Sequence, residues 1–164
     1  MSNPQYPQHQ TPQQNWQGGE PPLWAPYYGA PFPVAVRRFF KKYATFSGRA
    51  SRSEYWWWTL VAVGVGIILN IIVQAGASTS TSSLSSAASG PGGTIGTILL
   101  AVWGLATIVP SIALSVRRLH DGNFSGWLCL LVLVPFLGAI ALLVFMILPS
   151  NPAGQRFDRP DGSI

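Results

Sequence analysis

The sequence predicts an all-α integral membrane protein: three transmembrane helices, preceded by an amphipathic interfacial helix and a disordered N-terminal tail. Three observations carry this reading. Of the 164 residues 9% are charged and 48% hydrophobic, with a mean hydropathy of +0.30, whereas a soluble domain carries roughly 25% charged residues. No Asp, Glu, Lys, Arg or His occurs in the 62 residues from Tyr55 to Val116, nor in the 34 from Gly122 to Gln155. The apolar stretches inside those runs, 56–73, 95–115 and 127–148, hold 18 to 22 residues each. At ~1.5 Å per residue that matches a hydrocarbon core about 30 Å thick. So few charges cannot clothe a water-soluble surface. Single strands would leave backbone groups unpaired in lipid, so the spans are helices.

Residues 1–33 hold eight prolines, six glutamines and one charge, Glu20. Proline withholds backbone donors and glutamine buries little apolar area, so this tail is expected to stay disordered. The first 36 residues contain no Lys or Arg and no apolar core, so a cleavable signal peptide is not expected. The net charge is +5, and Arg37, Arg38, Lys41, Lys42, Arg49 and Arg52 crowd into 16 residues before the first span. A basic cluster abutting a span points to anionic lipid headgroups rather than nucleic acid. At about 100° per residue, segment 34–46 gathers Arg37, Arg38, Lys41 and Lys42 on one face, opposite Val36, Phe39, Phe40, Tyr43 and Phe46. That is the pattern of a helix lying in the headgroup plane, rings down and cations on anionic lipid. The alternative is a helix packed on its own protein.

Gly48 marks a break, and Ser51-Arg52-Ser53-Glu54 has capping-box spacing at the mouth of the first span, 55–75. Trp56, Trp57 and Trp58 suit interfacial anchors. An uncharged Ser/Thr/Gly/Ala loop, 76–93, leads to the second span, 94–116, where Pro110 predicts a kink. Gly64, Gly66, Gly96 and Gly104 are small positions for close helix approach. The loop 117–126 carries Arg117, Arg118, His120 and Asp121. Its cations suit the negative end of the second helix, with Gly122 as the stop. A third span, 127–148, contains Pro135, and a polar tail, 149–164, ends the chain. Basic loops stay in the cytoplasm, which puts the N-terminus and the 117–126 loop inside, and the 76–93 loop and the C-terminus outside.

Nothing here predicts an enzyme or a cofactor. A metal needs three or four convergent ligands, and beside His120 the chain has one other histidine, His9. No nucleophile elbow or phosphate loop occurs. Cys129 is the one cysteine and can form no intrachain disulfide.

Phe46-Ser47-Gly48-Arg49-Ala50-Ser51-Arg52-Ser53-Glu54-Tyr55-Trp56 resembles the F-x-G-R-A-x-R-x-E-[YF]-W signature of a bacterial inner-membrane family, domain of unknown function 805. Arg117-Arg118-Leu119-His120-Asp121 with Ser125-Gly126-Trp127 resembles its second signature, R-R-L-H-D-x-x-x-S-G-W. The likeness covers about residues 34–160. It implies an integral plasma-membrane protein and brings no activity with it. The expected role is structural or interactive, beside lipid, a second copy or other membrane proteins, with a small transporter or channel subunit as the alternative. Topology also predicts an ion-pair cluster: Arg49, Arg52 and Glu54 enter the first span on the side where Arg117, Arg118, His120 and Asp121 leave the second. Carboxylates at the hydrocarbon edge are costly unpaired, so Glu54 is expected beside Arg117 or Arg118, and Asp121 beside Arg49 or Arg52.

The orientation is checked by cysteine labelling in a Cys129→Ser background. Ser82→Cys should react with a membrane-impermeant maleimide in intact cells, and Asn123→Cys only after the membrane is opened. Labelling of Asn123→Cys in intact cells would reverse the topology.

Overall fold

The computed structural model describes residues 19–77 and 91–158. Among these the chain is all helical: α1 (Phe32–Lys41), α2 (Arg52–Ala77), α3 (Pro91–Asp121), a 3-10 helix (Gly126–Leu133), α4 (Leu137–Ile147) and a second 3-10 helix (Pro152–Phe157). Most of the expected 76–93 loop and residues 1–18 of the tail lie outside the described residues.

Helices α2 and α3 are the two that are long and apolar enough to cross a membrane. They form an antiparallel pair, drawn together where the sequence is small. A Cβ added at Gly96 would sit 3.0 Å from Val73, and one on Gly76 would collide with the backbone of Gly93. At the other end of the pair the core is aromatic. Trp58 stacks on Phe39 with ring centroids 3.4 Å apart, and its indole nitrogen donates to the Ser111 hydroxyl at 3.3 Å. Of the three expected interfacial tryptophans, Trp56 and Trp57 face outward whereas Trp58 is buried. Two of the three indoles lie on the outer side of α2, and the third points at α1 and α3.

The expected third span does not form one helix. Pro135 has no amide to offer the Leu131 carbonyl, which accepts from Val134 N at 2.9 Å instead. Phe136 then turns through a left-handed conformation (φ 60°) and α4 runs back along the 3-10 helix. Gly138 permits that return, since a Cβ there would collide with the Leu131 carbonyl. Both ends of the run come home to the same end of α3. Gly126 lies against Val116 and His120, and the carbonyl of Leu148 accepts from Arg118. Each leg is 8 to 11 residues, which at ~1.5–2 Å per residue reaches about half of a hydrocarbon core. The tip is apolar and bare: Leu133 is 75% exposed and Phe136 85%.

The tail departs from expectation as well. Residues 19–31 are ordered over the polar end of the helix pair, with Ala25 and Ala30 buried. Helix α1 starts and ends earlier than expected, at Phe32 and Lys41.

A hairpin that returns to its starting side carries the C-terminus with it. Ser163→Cys, in the Cys129→Ser background, should therefore show the same labelling as Asn123→Cys. Opposite accessibility of these two positions would restore a third crossing.

Candidate functional site

The sequence places few charges in this chain, and the fold collects most of them at one end of the α2–α3 pair. Two carboxylates organise the collection.

Glu54 is the first. It stands in the opening turn of α2 through a reciprocal cap: its carboxylate accepts from Ser51 N at 3.0 Å, and its own amide donates to Ser51 Oγ at 3.2 Å. The same oxygen, Oε2, accepts from Tyr27 N at 3.2 Å. The other, Oε1, accepts from Arg38 Nε at 2.7 Å and lies 3.6 Å from Lys42 Nζ. The remaining Arg38 donors reach the carbonyls of Pro21 (2.7 Å), Pro22 (3.2 Å) and Ala25 (2.6 Å) and Glu20 Oε1 (3.3 Å). Arg38 thereby pins the 19–31 segment onto α1, and that is why this proline-rich stretch is ordered.

Asp121, at the end of α3, is the second. Its Oδ2 accepts from Arg118 Nη1 at 2.7 Å and from Ser150 Oγ at 2.5 Å; Oδ1 accepts from the Tyr28 hydroxyl at 2.8 Å and lies 3.7 Å from Arg49 Nη1. Arg49 in turn holds Asp158 with two donors, at 2.9 and 2.7 Å. Arg118 donates to the carbonyls of Met146 and Leu148 at the end of α4. His120 donates from Nδ1 to the Gly48 carbonyl at 3.2 Å and stacks on Phe157, centroids 4.1 Å apart. Gly48 is held close: with φ at +80°, a Cβ there would lie 2.7 Å from the Trp24 carbonyl.

The four cations expected on lipid are divided. Arg37 and Lys41 face outward, and Arg37 meets Glu20. Arg38 and Lys42 are 1% and 2% exposed and do not face lipid. The helix is turned so that Phe32, Phe40, Tyr43 and Phe46 are exposed instead. The reason is the buried carboxylate: an unpaired ion in the interior costs several kcal/mol, far more than exposing a ring to an apolar surrounding. Of the expected two-signature cluster, Arg49 stands beside Asp121, and Glu54 is held by Arg38 and Lys42. Arg117 donates to Ala113 O at 3.1 Å, and its Nη2 is buried with no partner. Arg52 is exposed and makes no ion pair among the described residues. Sequence reasoning missed Tyr28, Ser150 and Asp158. Asp158 alone offered a signal, as an isolated acid next to the C-terminal arginines.

Burial away from water pushes the Lys42 ammonium down to about 7, with Glu54 pulling the other way. Burial, followed by the charge of Asp121, holds the Tyr28 phenol up at about 12. Chemically, the arrangement is a closed set of ion pairs: every oxygen of both carboxylates already accepts at least one bond.

Two apolar helices of spanning length topped by a buried charged head define an integral membrane protein whose polar groups are gathered at one end. The chain belongs to the family described as protein of unknown function (DUF805), whose model matches residues 43–159. It is similar to inner membrane protein YhaI of Escherichia coli (strain K12), 38% identical over 117 residues, 71% of this chain and 86% of that protein. Inner membrane protein YhaH of the same strain is 32% identical over 120 residues, 73% of this chain and 89% of that one. No solved structure matches it. The chain is a membrane protein of a family without an assigned activity.

The two carboxyl neighbours give separable tests in nanodiscs. Glu54→Gln leaves Arg38 and Lys42 buried without their counter-ion and should cost about 3–5 kcal/mol of stability. Lys42→Met should be stabilising at neutral pH. The sign follows from proton binding. Between about 7 and the ordinary lysine value of 10.5 the unfolded chain holds more protons at position 42 than the folded one, so stability rises with pH across that window. Below it the full cost of the buried ammonium is present. Thermal unfolding from pH 6.5 to 9.5 should climb for the native chain and lose that slope in Lys42→Met.

Proposed function

We propose that this protein is a non-enzymatic inner-membrane protein with a structural or interaction role, seated on anionic lipid at the cytoplasmic face. The observation that supports this is the closure of the charged head. Neither carboxylate is left free to take a proton from a substrate, and the cations left facing outward, Arg37, Lys41 and Arg52, share one end of the molecule with exposed rings. Cations at headgroup level with aromatic rings beside them are what an anionic bilayer surface attracts. On this reading α2 and α3 cross the membrane, and the Gly126–Ile147 hairpin enters from the cytoplasmic side and returns. The N-terminal segment and the C-terminal segment then share the cytoplasm.

The test is stability in nanodiscs of the full chain with increasing anionic phospholipid. The melting temperature should rise with anionic content and the gain should shrink in salt. Arg37→Gln with Lys41→Gln should remove part of it, at about 1 kcal/mol per cation. An equal response to purely zwitterionic lipid would end the proposal.

A further inference from the structure

The outer side of α2 carries a feature that the charged head does not explain. Val63, Gly66, Ile67, Asn70, Ile71 and Gln74 line an open groove of about 720 Å³. This face points away from α3, which α2 meets through Val73 and Trp58. Asn70 sits 16 residues beyond Glu54 and seven before Ala77, about 24 Å and 10 Å along the axis, so its amide lies within the hydrocarbon layer. The hydroxyls of the spans are quiet there. Thr59, Thr97, Thr107 and Ser115 each donate to the carbonyl four residues earlier and use up their one proton. Asn70 does the same toward Gly66 at 2.8 Å, but an amide keeps a second hydrogen and a carbonyl oxygen. Gln74, one turn on, has no partner among the described residues. An unmet amide in lipid costs a few kcal/mol and acyl chains cannot satisfy it.

We propose that this groove is the contact surface of a parallel homodimer, in which α2 packs on α2 and Asn70 hydrogen-bonds to Asn70 of the partner subunit. Three things select a second copy. Every copy inserts the same way, so two α2 helices run parallel with residue 70 at one depth. A two-fold axis between them sets each amide against its equal, and an amide is both donor and acceptor. Positions 63, 66/67, 70 and 74 follow the 3.5-residue repeat of a helix–helix seam, where one asparagine fixes register. Gly66 belongs to the same picture. A Cβ there would meet nothing within 4 Å in its own chain, so intrachain packing does not call for glycine; close approach of a second backbone does.

The experiment uses the full chain in its native membrane, in a Cys129→Ser background, with single cysteines that leave Gly66 and Asn70 intact. Val63→Cys and Ile67→Cys lie on the seam. Ile68→Cys is equally exposed but about 160° around the helix from Asn70. Oxidant should give a covalent dimer of twice the chain mass at 63 and 67, at least about five-fold faster than at 68. In bilayers at fixed lipid ratio, Asn70→Leu should weaken dimerisation about three- to thirty-fold, the range of an interhelical hydrogen bond in a membrane, and Asn70→Gln should retain most of it. Cross-linking as fast at 68 as at 63 and 67, a product containing another protein, a monomer throughout, or an unchanged equilibrium in Asn70→Leu would each overturn the proposal.

Discussion

A carboxylate at the edge of a hydrocarbon layer has to find positive charge nearby, and Glu54 and Asp121 impose that requirement on everything around them. Leaving either ion buried and unpaired would cost several kcal/mol, a large share of any domain's net stability. Glu54 draws in α1 through Arg38 and Lys42, and Arg38 then draws the carbonyls of Pro21, Pro22 and Ala25 over itself. Asp121 draws in Tyr28 from the same N-terminal segment and Ser150 from beyond the hairpin, and its neighbour Arg49 holds Asp158. Segments far apart in sequence are thereby fastened to the mouth of one helix pair. Apolar packing could not do this alone, because lipid tails offer α2 and α3 an environment as apolar as each other.

The two centres differ in charge balance. Around Asp121, two arginines (Arg49, Arg118) face two carboxylates (Asp121, Asp158). Around Glu54, Arg38 and Lys42 share one buried carboxylate, with only the more exposed Glu20 to help. The excess falls on the group that can give up a proton. Lysine can be neutral near pH 7, whereas the arginine is charged at every accessible pH, so desolvation is relieved at Lys42 and not at Arg38. Lys42 Nζ has no hydrogen-bond partner, which is what a buried amine poised to lose its proton would show.

Much of this was legible in the sequence, and what was not has a common cause. Charge-free length announced α2 and α3, and the spacing of Ser51 and Glu54 announced the cap. The segment 34–46 was legible as an amphipathic helix but not as to which face turns inward. A helical wheel assumes that the inside is the apolar side. Here the surroundings are as apolar as any interior and the interior of the head is ionic, so Arg38 and Lys42 go in while Phe40 and Tyr43 come out. The order of residues 19–31 was hidden for the same reason, because what fixes them is a guanidinium from α1 and not any apolar content of their own. The run 127–148 was long enough to span. Only the place of Pro135, near its middle, hinted at a hairpin, and length alone outweighed it.

Proline 110 shows how the head and the spans are made one unit. Within α3 it has no amide to give the carbonyl four residues before it, at Ala106. In water that carbonyl would be solvated; in a membrane it needs a donor from the protein. Tyr43, just beyond α1, supplies its hydroxyl to Ala106 O at 2.8 Å. The kink site in a spanning helix and the helix that carries Arg38 and Lys42 thus complete each other. Moving α1 off Glu54 would also uncover Ala106, and straightening α3 would not free Tyr43 unless Glu54 lost its cations as well. The ion pair at the surface and the backbone gap within the span stand or fall together, and this couples the charged head to the helix that passes through the bilayer.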